Sequence, residues 1–266
     1  MSEKPRKAAI ITGSATGIGA AIATALAGVG WNVLINYTKS VAEAKATTKL
    51  CQQAGADVAL VRGDVAEDAD CRRLVATALR RWGRLDGLVN NAGVTKFVKP
   101  GKHDELTVAD FERIFSVNLI GAYQMARAAA GALARSGRGS IVNISSHGAF
   151  TGLGSSIAYA TSKGALNTLT LALARELAPS IRVNALCPGF VDTRWTKRKM
   201  SSAEYAAFRK RIEAMAPLRR MVEPVDVADA ALWLLGSARA VTGQLIVIDS
   251  GNHLTVNTPL APRGRR

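Results

Sequence analysis

Tyr159 and Lys163 are the residues of this sequence whose types and spacing most clearly suggest chemistry. They stand four positions apart in the stretch Tyr159-Ala160-Thr161-Ser162-Lys163, a spacing that places both side chains on one face of a helix. A free tyrosine titrates near pH ~10 and a free lysine near pH ~10.4, so neither alone is a good acid or base at neutral pH. A neighbouring ammonium favours the phenolate and lowers the tyrosine pKa. The pair therefore predicts a proton shuttle for an alcohol or a carbonyl group.

The size and composition of the chain suit one large α/β domain. It has 266 residues, of which 48% are apolar, enough for a sizeable core. Three widely spaced cysteines, Cys51, Cys71 and Cys187, indicate neither a disulfide framework nor a zinc site and are typical of a reducing compartment. The N-terminus lacks the features of a signal sequence, and no apolar run approaches the ~18 residues of a membrane span. We therefore expect a cytoplasmic protein.

Short β-branched runs alternate with longer helical stretches along the chain. The predicted strands are Ala8–Thr12, Asn32–Tyr37, Val58–Arg62, Gly87–Asn90, Gly139–Ser145, Ile181–Leu186 and Gln244–Ile248. The predicted helices are Ile18–Gly28, Val41–Ala54, Glu67–Trp82, Val108–Ser136, Ile157–Ala178 and Val225–Leu235. The strands are nearly all apolar without alternation, which indicates burial on both faces. The pattern predicts a doubly wound parallel sheet of about seven strands, with helices on both faces, in a single domain spanning residues 1–266.

A glycine-rich turn joins the first strand to the first helix. It reads Thr12-Gly13-Ser14-Ala15-Thr16-Gly17-Ile18-Gly19. The three glycines permit a tight turn, a close approach of the backbone to a pyrophosphate and close packing of helix on strand. The helix N-terminus then supplies free N–H groups for the phosphates. This arrangement predicts a dinucleotide site.

The ends of the next strands suggest how the rest of a dinucleotide would be held. The second strand is not followed by the acid that binds the ribose of NAD(H), whereas Lys39, with Thr38 and Ser40, could meet a 2′-phosphate. We therefore favour NADP(H) over NAD(H). Asp64-Val65 offers a carboxylate to the adenine amino group, and Asn90-Asn91-Ala92-Gly93 suits the floor under the adenosine ribose.

Taken together, these residues resemble the short-chain dehydrogenase/reductase family in its single-domain form. The resemblance covers Ala8 to Gly251 and is carried by Thr12-Gly13-x-x-x-Gly17-Ile18-Gly19, Asp64, Asn90-Asn91-Ala92-Gly93, Asn118, Ser146, Tyr159-x-x-x-Lys163 and Pro188-Gly189. It implies a three-layer Rossmann fold and interconversion of a ketone and a secondary alcohol with NAD(P)(H). It also implies a homo-oligomer, a tetramer or dimer, in which the helices Val108–Ser136 and Ile157–Ala178 pair between subunits.

The resemblance implies a role for each catalytic candidate. Tyr159 is the general acid/base, and Ser146, thirteen residues before it, orients and polarises the carbonyl. Lys163 lowers the tyrosine pKa and holds the nicotinamide ribose, and Asn118 fixes a water that passes protons onward. The implied cofactor contacts are Gly13, Ser14, Thr16, Gly17, Ile18, Gly19, Tyr37, Thr38, Lys39, Asp64, Val65, Asn91, Ala92, Gly93, Tyr159, Lys163, Pro188, Gly189, Val191 and Thr193. The candidate substrate contacts are His147, Phe190 and Trp195.

Nearly half of the net charge of +15 lies in one short stretch of the chain, and the rest is spread out. The stretch 191–221 is poorly periodic and resembles the substrate lid of the family, ahead of a C-terminal tail at 252–266. Residues 194–221 hold nine basic residues against two acidic ones, a net charge of +7. These cations either attract a substrate with an anionic handle or form an ordinary solvated helix face. Nucleic acid binding is not expected, because basic and aromatic residues are not interleaved.

The substrate remains open at this point. The sequence as a whole is similar to 3-oxoacyl-carrier-protein reductases and to sugar or polyol dehydrogenases. Of these two classes we favour the first. The approach to the sixth strand, Ala178-Pro179-Ser180-Ile181, lacks the basic residue that those reductases commonly carry for carrier docking. A non-catalytic nucleotide-binding or scaffold protein is the alternative from another class. His147 beside Ser146 does not predict hydrolysis, since no G-x-S-x-G elbow surrounds the pair, and His103 and His253 are too scattered to predict a metal site.

Overall fold

The computed structural model describes residues 5–99, 101–197 and 200–255, and the strands within them form one parallel sheet. These are β1 Ala8–Ile11, β2 Asn32–Tyr37, β3 Val58–Arg62, β4 Gly87–Asn90, β5 Gly139–Ile144, β6 Ile181–Pro188 and β7 Leu245–Ile248. Their order is β3-β2-β1-β4-β5-β6-β7, and every neighbouring pair is parallel. The predicted doubly wound sheet is therefore confirmed.

Helices cover both faces of the sheet. They are α1 Gly17–Gly28, α2 Val41–Gln53, α3 Asp68–Trp82, α4 Val108–Phe115, α5 Gly121–Arg135, α6 Gly148–Thr151, α7 Ile157–Glu176, α8 Arg194–Lys197, α9 Ser202–Met215 and α10 Pro224–Gly236. One core cluster contains buried side chains of α1, α2 and α10, and the other contains those of α3, α5 and α7. Because each strand is apolar on both sides, each face of the sheet has its own core.

The long helix predicted over Val108–Ser136 is confirmed from Val108 to Arg135, with one local irregularity. A π-helical turn over Ser116–Ile120 separates α4 from α5. Asn118 lies in this turn and is only 1% exposed. A single-turn π-bulge inserts into a helix without removing its apolar periodicity, so the sequence pattern does not show it.

The stretch 191–221 is an excursion from the sheet, and its two ends are brought together by one β-bridge. A parallel bridge pairs Val191 with Val222, and α8 and α9 lie between them. The second of these helices begins at a capping box in which Ser201 and Glu204 each accept from the other's backbone N–H. We refer to residues 191–221 as the lid. Arg198 and Lys199 of this stretch, and residues 256–266 of the predicted tail, lie outside the described residues.

The topology opens a crevice at the carboxyl ends of the central strands. The order of the sheet reverses between β1 and β4, so the connections that leave these strands run to opposite faces. In doubly wound sheets, ligands bind in the crevice at this reversal.

None of the helices in the described part of the chain combines the length and the apolar composition that a membrane span requires.

Candidate active site

The glycine-rich turn after β1 is shaped by close contacts that only glycine allows. Gly13 and Gly17 both have φ of +61°, in the left-handed region that L side chains rarely adopt. A Cβ on Gly13 would lie 2.9 Å from Ala92 Cα, and one on Gly19 would collide with the side-chain amide of Asn91. The turn after β1 and the segment after β4 are therefore packed against each other.

Hydrogen bonds of Thr12 and Asn91 hold these two segments together. The backbone N–H groups of Asn91 and Ala92 both donate to the Thr12 hydroxyl, each at a distance of 3.0 Å. The Asn91 side-chain amide donates to the carbonyls of Thr12 and Gly13, at 2.9 and 3.0 Å. Asn91 thus supports the turn from below, and the predicted cofactor residues Gly13, Asn91 and Ala92 do come together.

Ser14 requires a correction, because it has no free donor to offer a cofactor. Its hydroxyl donates to the Ile11 carbonyl at 2.7 Å and accepts from the Asn36 backbone N–H at 3.1 Å. Its own N–H donates to the Asn36 carbonyl. Sequence reasoning missed Asn36, whose side-chain oxygen accepts from the Gly13 N–H at 3.0 Å. An asparagine inside a buried apolar strand was the available signal, since buried amides need partners.

The residues at the start of α1 fit the pyrophosphate of a nicotinamide dinucleotide. Thr16 is the N-cap residue, and its side chain makes no capping hydrogen bond, so the first-turn N–H groups point toward the crevice without a capping partner. A Cβ on Gly17 would stand 3.5 Å from the Thr193 methyl group. Thr193 therefore lies across the crevice from the turn, as expected of a residue that closes over a phosphate.

The ribose end is exposed and more polar. Thr38 and Lys39 are exposed and Tyr37 is half-buried, so the Lys39 ammonium is accessible to an anion. From the lid, Arg194 forms an ion pair with Glu43 of α2 and a hydrogen bond of 3.4 Å with the Ser40 hydroxyl. The sequence does not predict this second cation near the ribose end, because Arg194 is 154 positions away from Ser40 along the chain.

At the adenine end, Asp64 is already engaged on both oxygens. One accepts from Arg113 at 2.9 Å and the other from the Ala66 N–H at 3.0 Å. Since each carboxylate oxygen can accept more than one hydrogen bond, these contacts orient the group without excluding an adenine amino group. Val65 is buried, and its carbonyl accepts from the Gln124 side chain at 2.9 Å.

The catalytic candidates lie at the carboxyl end of β5 and on α7. Hydrogen bonding to the Ser146 side chain acts to lower the pKa of Tyr159. The Lys163 ammonium lies 5.7 Å from the centre of the Tyr159 ring and donates to the Ile144 carbonyl at 2.7 Å. The neighbouring Ser145 hydroxyl instead donates to the Lys163 carbonyl at 3.1 Å. Of the two consecutive serines, Ser146 is therefore the one paired with Tyr159.

The pKa directions of the pair differ in part from the sequence-based expectation. Burial raises the pKa of Tyr159 above its ordinary value, and the Ser146 hydrogen bond offsets this only in part. The lowered tyrosine pKa that the sequence predicts is therefore not found. Burial also lowers the pKa of Lys163 from 10.5 to about 8. The lysine is 4% exposed, so its charge at neutral pH is held in a poorly solvated place.

Asn118 connects the segment after β4 to the catalytic helix. Its side-chain oxygen accepts from the Val94 N–H at 2.8 Å, and its amide donates to the Ser162 hydroxyl at 3.0 Å. Ser162 in turn donates to the Tyr159 carbonyl at 2.7 Å. A Cβ on Gly93 would lie 3.5 Å from Asn118 Oδ1 and 3.9 Å from Lys163 Nζ. Asn118 and Lys163 therefore flank one spot beside Gly93, and Ser162 is a supporting residue that sequence reasoning missed.

The three predicted substrate contacts have different surroundings. The Trp195 ring lies 6.0 Å from the Tyr159 ring, whereas Phe190 pairs edge-to-face with Phe208 of α9 at 5.1 Å. His147 Nε2 is 3.8 Å from Asp249 Oδ2, and burial lowers the His147 pKa. His253 Nδ1 lies 2.9 Å from Oδ1 of the same carboxylate. Of the three, only Trp195 contacts a catalytic candidate through its ring.

The turn after β6 also reaches the site. The Pro188 carbonyl accepts from the His147 N–H at 2.8 Å, and the Gly189 N–H donates to the Ile248 carbonyl at 2.9 Å. A Cβ on Gly189 would lie 2.7 Å from Asp249 Cβ. Pro188, Gly189 and Val191 thus form a tightly packed edge next to Ser146 and His147. Within the described residues, no group of His, Cys, Asp and Glu side chains is arranged to hold a metal ion.

Comparison with known proteins identifies the class to which this fold and site belong. A family model described as enoyl-(acyl carrier protein) reductase matches residues 13–253. The chain belongs to the short-chain dehydrogenase/reductase family. It is an oxidoreductase that acts on CH–OH or ketone groups, with a nicotinamide cofactor of the NAD(P)(H) type.

Individual relatives support the same class. The "Granaticin polyketide synthase putative ketoacyl reductase 2" of Streptomyces violaceoruber is 42% identical over 92% of this chain and 96% of that protein. Glucose 1-dehydrogenase 2 of Bacillus subtilis is 33% identical over 92% and 94%, respectively. A crystal structure described as a "putative short-chain dehydrogenase/reductase" from Burkholderia xenovorans is 43% identical and superposes with a TM-score of 0.88, covering 95% of this chain and all of that one.

The lowered pKa of Lys163 predicts how stability depends on pH. Below pH 8 both the folded and the unfolded chain carry the ammonium, whereas between pH 8 and 10.5 only the unfolded chain does. The lysine's contribution to the free energy of unfolding therefore rises through this window, by about 1.4 kcal/mol per pH unit. Urea unfolding of wild type and Lys163→Met should show a difference that shifts in favour of wild type by about 2 kcal/mol between pH 8 and 10.

Lys49, an exposed lysine of α2, provides the control, since Lys49→Met removes a surface charge without changing the core. A Lys163→Met difference that stays constant over the same pH range would contradict the lowered pKa.

Proposed function

We propose that the chain is an NADP(H)-dependent carbonyl reductase that interconverts a ketone and a secondary alcohol, with 3-oxoacyl or similar ketones as its substrates. The observation that best supports this is the convergence of four side chains beside the glycine-rich turn. The Ser146 side chain acts on the Tyr159 pKa, the Lys163 ammonium lies 5.7 Å from the centre of the tyrosine ring, and Asn118 reaches the spot beside Lys163. Hydroxyl, phenol and ammonium groups at one crevice suit proton transfer to an oxygen atom.

In this proposal, the protein positions the carbonyl and moves its proton. When bound, the nicotinamide supplies the hydride that joins the carbonyl carbon. Negative charge then develops on the carbonyl oxygen, where the Tyr159 hydroxyl donates a proton and the Ser146 hydroxyl donates a hydrogen bond. In alcohol oxidation the same tyrosine, as phenolate, accepts the proton.

Lys163 and Asn118 act behind the tyrosine. Below its pKa of about 8, the Lys163 ammonium stabilises the phenolate that remains after Tyr159 has given up its proton. This counters the burial that raises the tyrosine pKa. Asn118, next to Lys163, orders a water through which the proton is replaced. Lys163 also holds the nicotinamide ribose.

The substrate class has one main alternative. The ketoacyl reductase name of the Streptomyces relative supports a 3-oxoacyl substrate, and the Bacillus glucose dehydrogenase supports a sugar or polyol. The missing basic residue before β6 argues against an acyl carrier protein as the form in which the substrate is presented. A non-catalytic nucleotide-binding role is disfavoured, since all four side chains of the proton-transfer site are present.

The contacts of the lid argue against the idea that its cations attract an anionic substrate. Arg194 pairs with Glu43, and Lys197 pairs with Asp192 at 2.7 Å. Further along the lid, Arg209 pairs with Glu213 and Arg220 with Asp226. These four cations of the lid thus already have a carboxylate partner within the protein.

We further propose that the chain forms a homo-oligomer, a tetramer or dimer, in the cytoplasm. Large apolar side chains are exposed on the helices expected to pair, including Tyr123 of α5 and Leu171 of α7. Pairing of these helices between subunits would remove such side chains from water. The three cysteines are free and buried, which is typical of a reducing compartment.

Replacing the proposed general acid tests the reaction. Tyr159→Phe should lower turnover of a ketone at least a hundredfold, because general acid–base catalysis contributes on the order of 10²–10⁴. Its affinity for NADPH should change little. Turnover is followed by the absorbance of the reduced nicotinamide, and affinity by calorimetric titration. Tyr123→Phe removes the same hydroxyl from α5 and serves as the control; a Tyr159→Phe variant that kept its activity would refute the mechanism.

The cofactor preference depends on Lys39. Lys39→Ala should reduce the ratio of kcat/KM for NADPH over NADH by about tenfold, since a hydrogen bond to a charged group contributes ~1.5–3 kcal/mol. The ratio is obtained from initial rates with each cofactor under saturating ketone. Lys49→Ala, on the neighbouring helix, controls for the loss of one positive charge. An unchanged ratio in Lys39→Ala would show that Lys39 does not select the 2′-phosphate.

A further inference from the structure

Three aromatic side chains, one of them Tyr159, lie next to one another at the proposed active site. Trp195 of α8 is the middle one, with its ring centre 6.0 Å from that of Tyr159 and 6.3 Å from that of Phe97. The planes are tilted by 48° and 58°, within the geometries at which aromatic pairs attract each other. Trp195 is still 37% exposed, so the two neighbouring rings leave part of this residue uncovered. We call Phe97, Tyr159 and Trp195 the aromatic wall.

The protein fixes Trp195 from both sides. Arg194, just before it, is paired with Glu43 of α2, and Lys197, two positions after it, is paired with Asp192 at 2.7 Å. The Thr196 hydroxyl donates to the Val191 carbonyl at 2.6 Å. A four-residue helix has little stability of its own, so these contacts are what hold the indole next to Tyr159.

Phe97 is fixed in a similar way on the opposite segment. The Val98 N–H donates to the Ser155 carbonyl at 2.9 Å, and the Thr95 hydroxyl lies 2.6 Å from the Ser155 hydroxyl. Lys96 pairs with Asp110 at 2.7 Å. The segment after β4 is thereby attached both to the approach to α7 and to the start of α4, and its aromatic ring is preorganised.

Three cations in the two segments that carry Phe97 and Trp195 are paired. Lys96, Arg194 and Lys197 each have a carboxylate within ion-pair distance. An anion brought to this surface would have to compete with those carboxylates. An apolar group would need no such exchange and would gain contact with ring faces and edges.

We infer that the substrate carries an aromatic ring, or a comparably planar apolar group, attached directly to its carbonyl carbon, and that Phe97 and Trp195 select it. This inference rests on the proposed reductase function. With the carbonyl oxygen at the Tyr159 and Ser146 hydroxyls, a group bonded to the carbonyl carbon extends over the ring next to Tyr159, which is Trp195. Phe97 then bounds the far side of that group.

A matched pair of ketones tests the inference. Acetophenone and cyclohexyl methyl ketone share one carbon skeleton, but only the first has a planar π-system. The kcat/KM ratio of acetophenone to the cyclohexyl ketone should fall about three- to tenfold in Trp195→Leu and in Phe97→Leu, the size expected for one aromatic contact. Trp195→Phe should keep most of the ratio. Phe208→Leu, which removes a lid aromatic that pairs with Phe190 instead, should leave it unchanged.

A binding measurement separates failure of this inference from failure of the proposed function. In Tyr159→Phe with NADP⁺, titration calorimetry should show that 1-phenylethanol binds at least about threefold more tightly than 1-cyclohexylethanol. Equal affinities, or an unchanged ketone ratio in both leucine variants, would overturn the aromatic preference even if the enzyme reduces ketones. Absence of ketone turnover in wild type would overturn the proposed function, and the alcohol affinities would still decide whether the wall selects aromatic rings.

Discussion

The contact between the carboxyl ends of β1 and β4 is the feature on which the rest of the site depends. The sheet order reverses there, so the two connections part and leave a crevice. Thr12 and Asn91 hold the edges of that crevice at a fixed separation with four hydrogen bonds of 2.9 to 3.0 Å. Gly13 and Gly19 are required because any side chain there would push the edges apart. The buried amide of Asn36, on β2, completes the support by accepting from the Gly13 N–H.

The same contact is continuous with the catalytic helix. The chain runs from Asn91 to Val94, whose backbone is paired at both N–H and carbonyl with the Asn118 side chain. Asn118 bonds to Ser162, and Ser162 to the Tyr159 carbonyl. The nucleotide turn and the proposed proton donor are thus parts of one hydrogen-bonded framework. Buried polar networks that are fully satisfied are rigid, which suits a site that must align two reacting partners.

Much of this arrangement follows from the sequence because it reflects local rules. Apolar runs gave the strands to within about two residues, and the glycine pattern located the nucleotide turn. The partners of the Asn118 side chain and the bond between Ser14 and Asn36 were beyond such rules, since they join residues distant in the chain. The position of Trp195 depends on the ion pairs of its neighbours Arg194 and Lys197 with Glu43 and Asp192. Glu43 is far from Trp195 along the chain. The raised pKa of Tyr159 follows from burial, which residue spacing does not reveal.

The central claim is that this site couples proton transfer from Tyr159 to hydride transfer from the nicotinamide. Isotope transfer tests it most directly. NADPH stereospecifically deuterated at the nicotinamide C4 is incubated with the protein and acetophenone, and the alcohol is analysed by mass spectrometry and NMR. The account predicts one deuterium on the carbinol carbon with NADPH of one C4 configuration and none with the other, and no labelled alcohol with Tyr159→Phe. Alcohol that lacks deuterium with both configurations would contradict it.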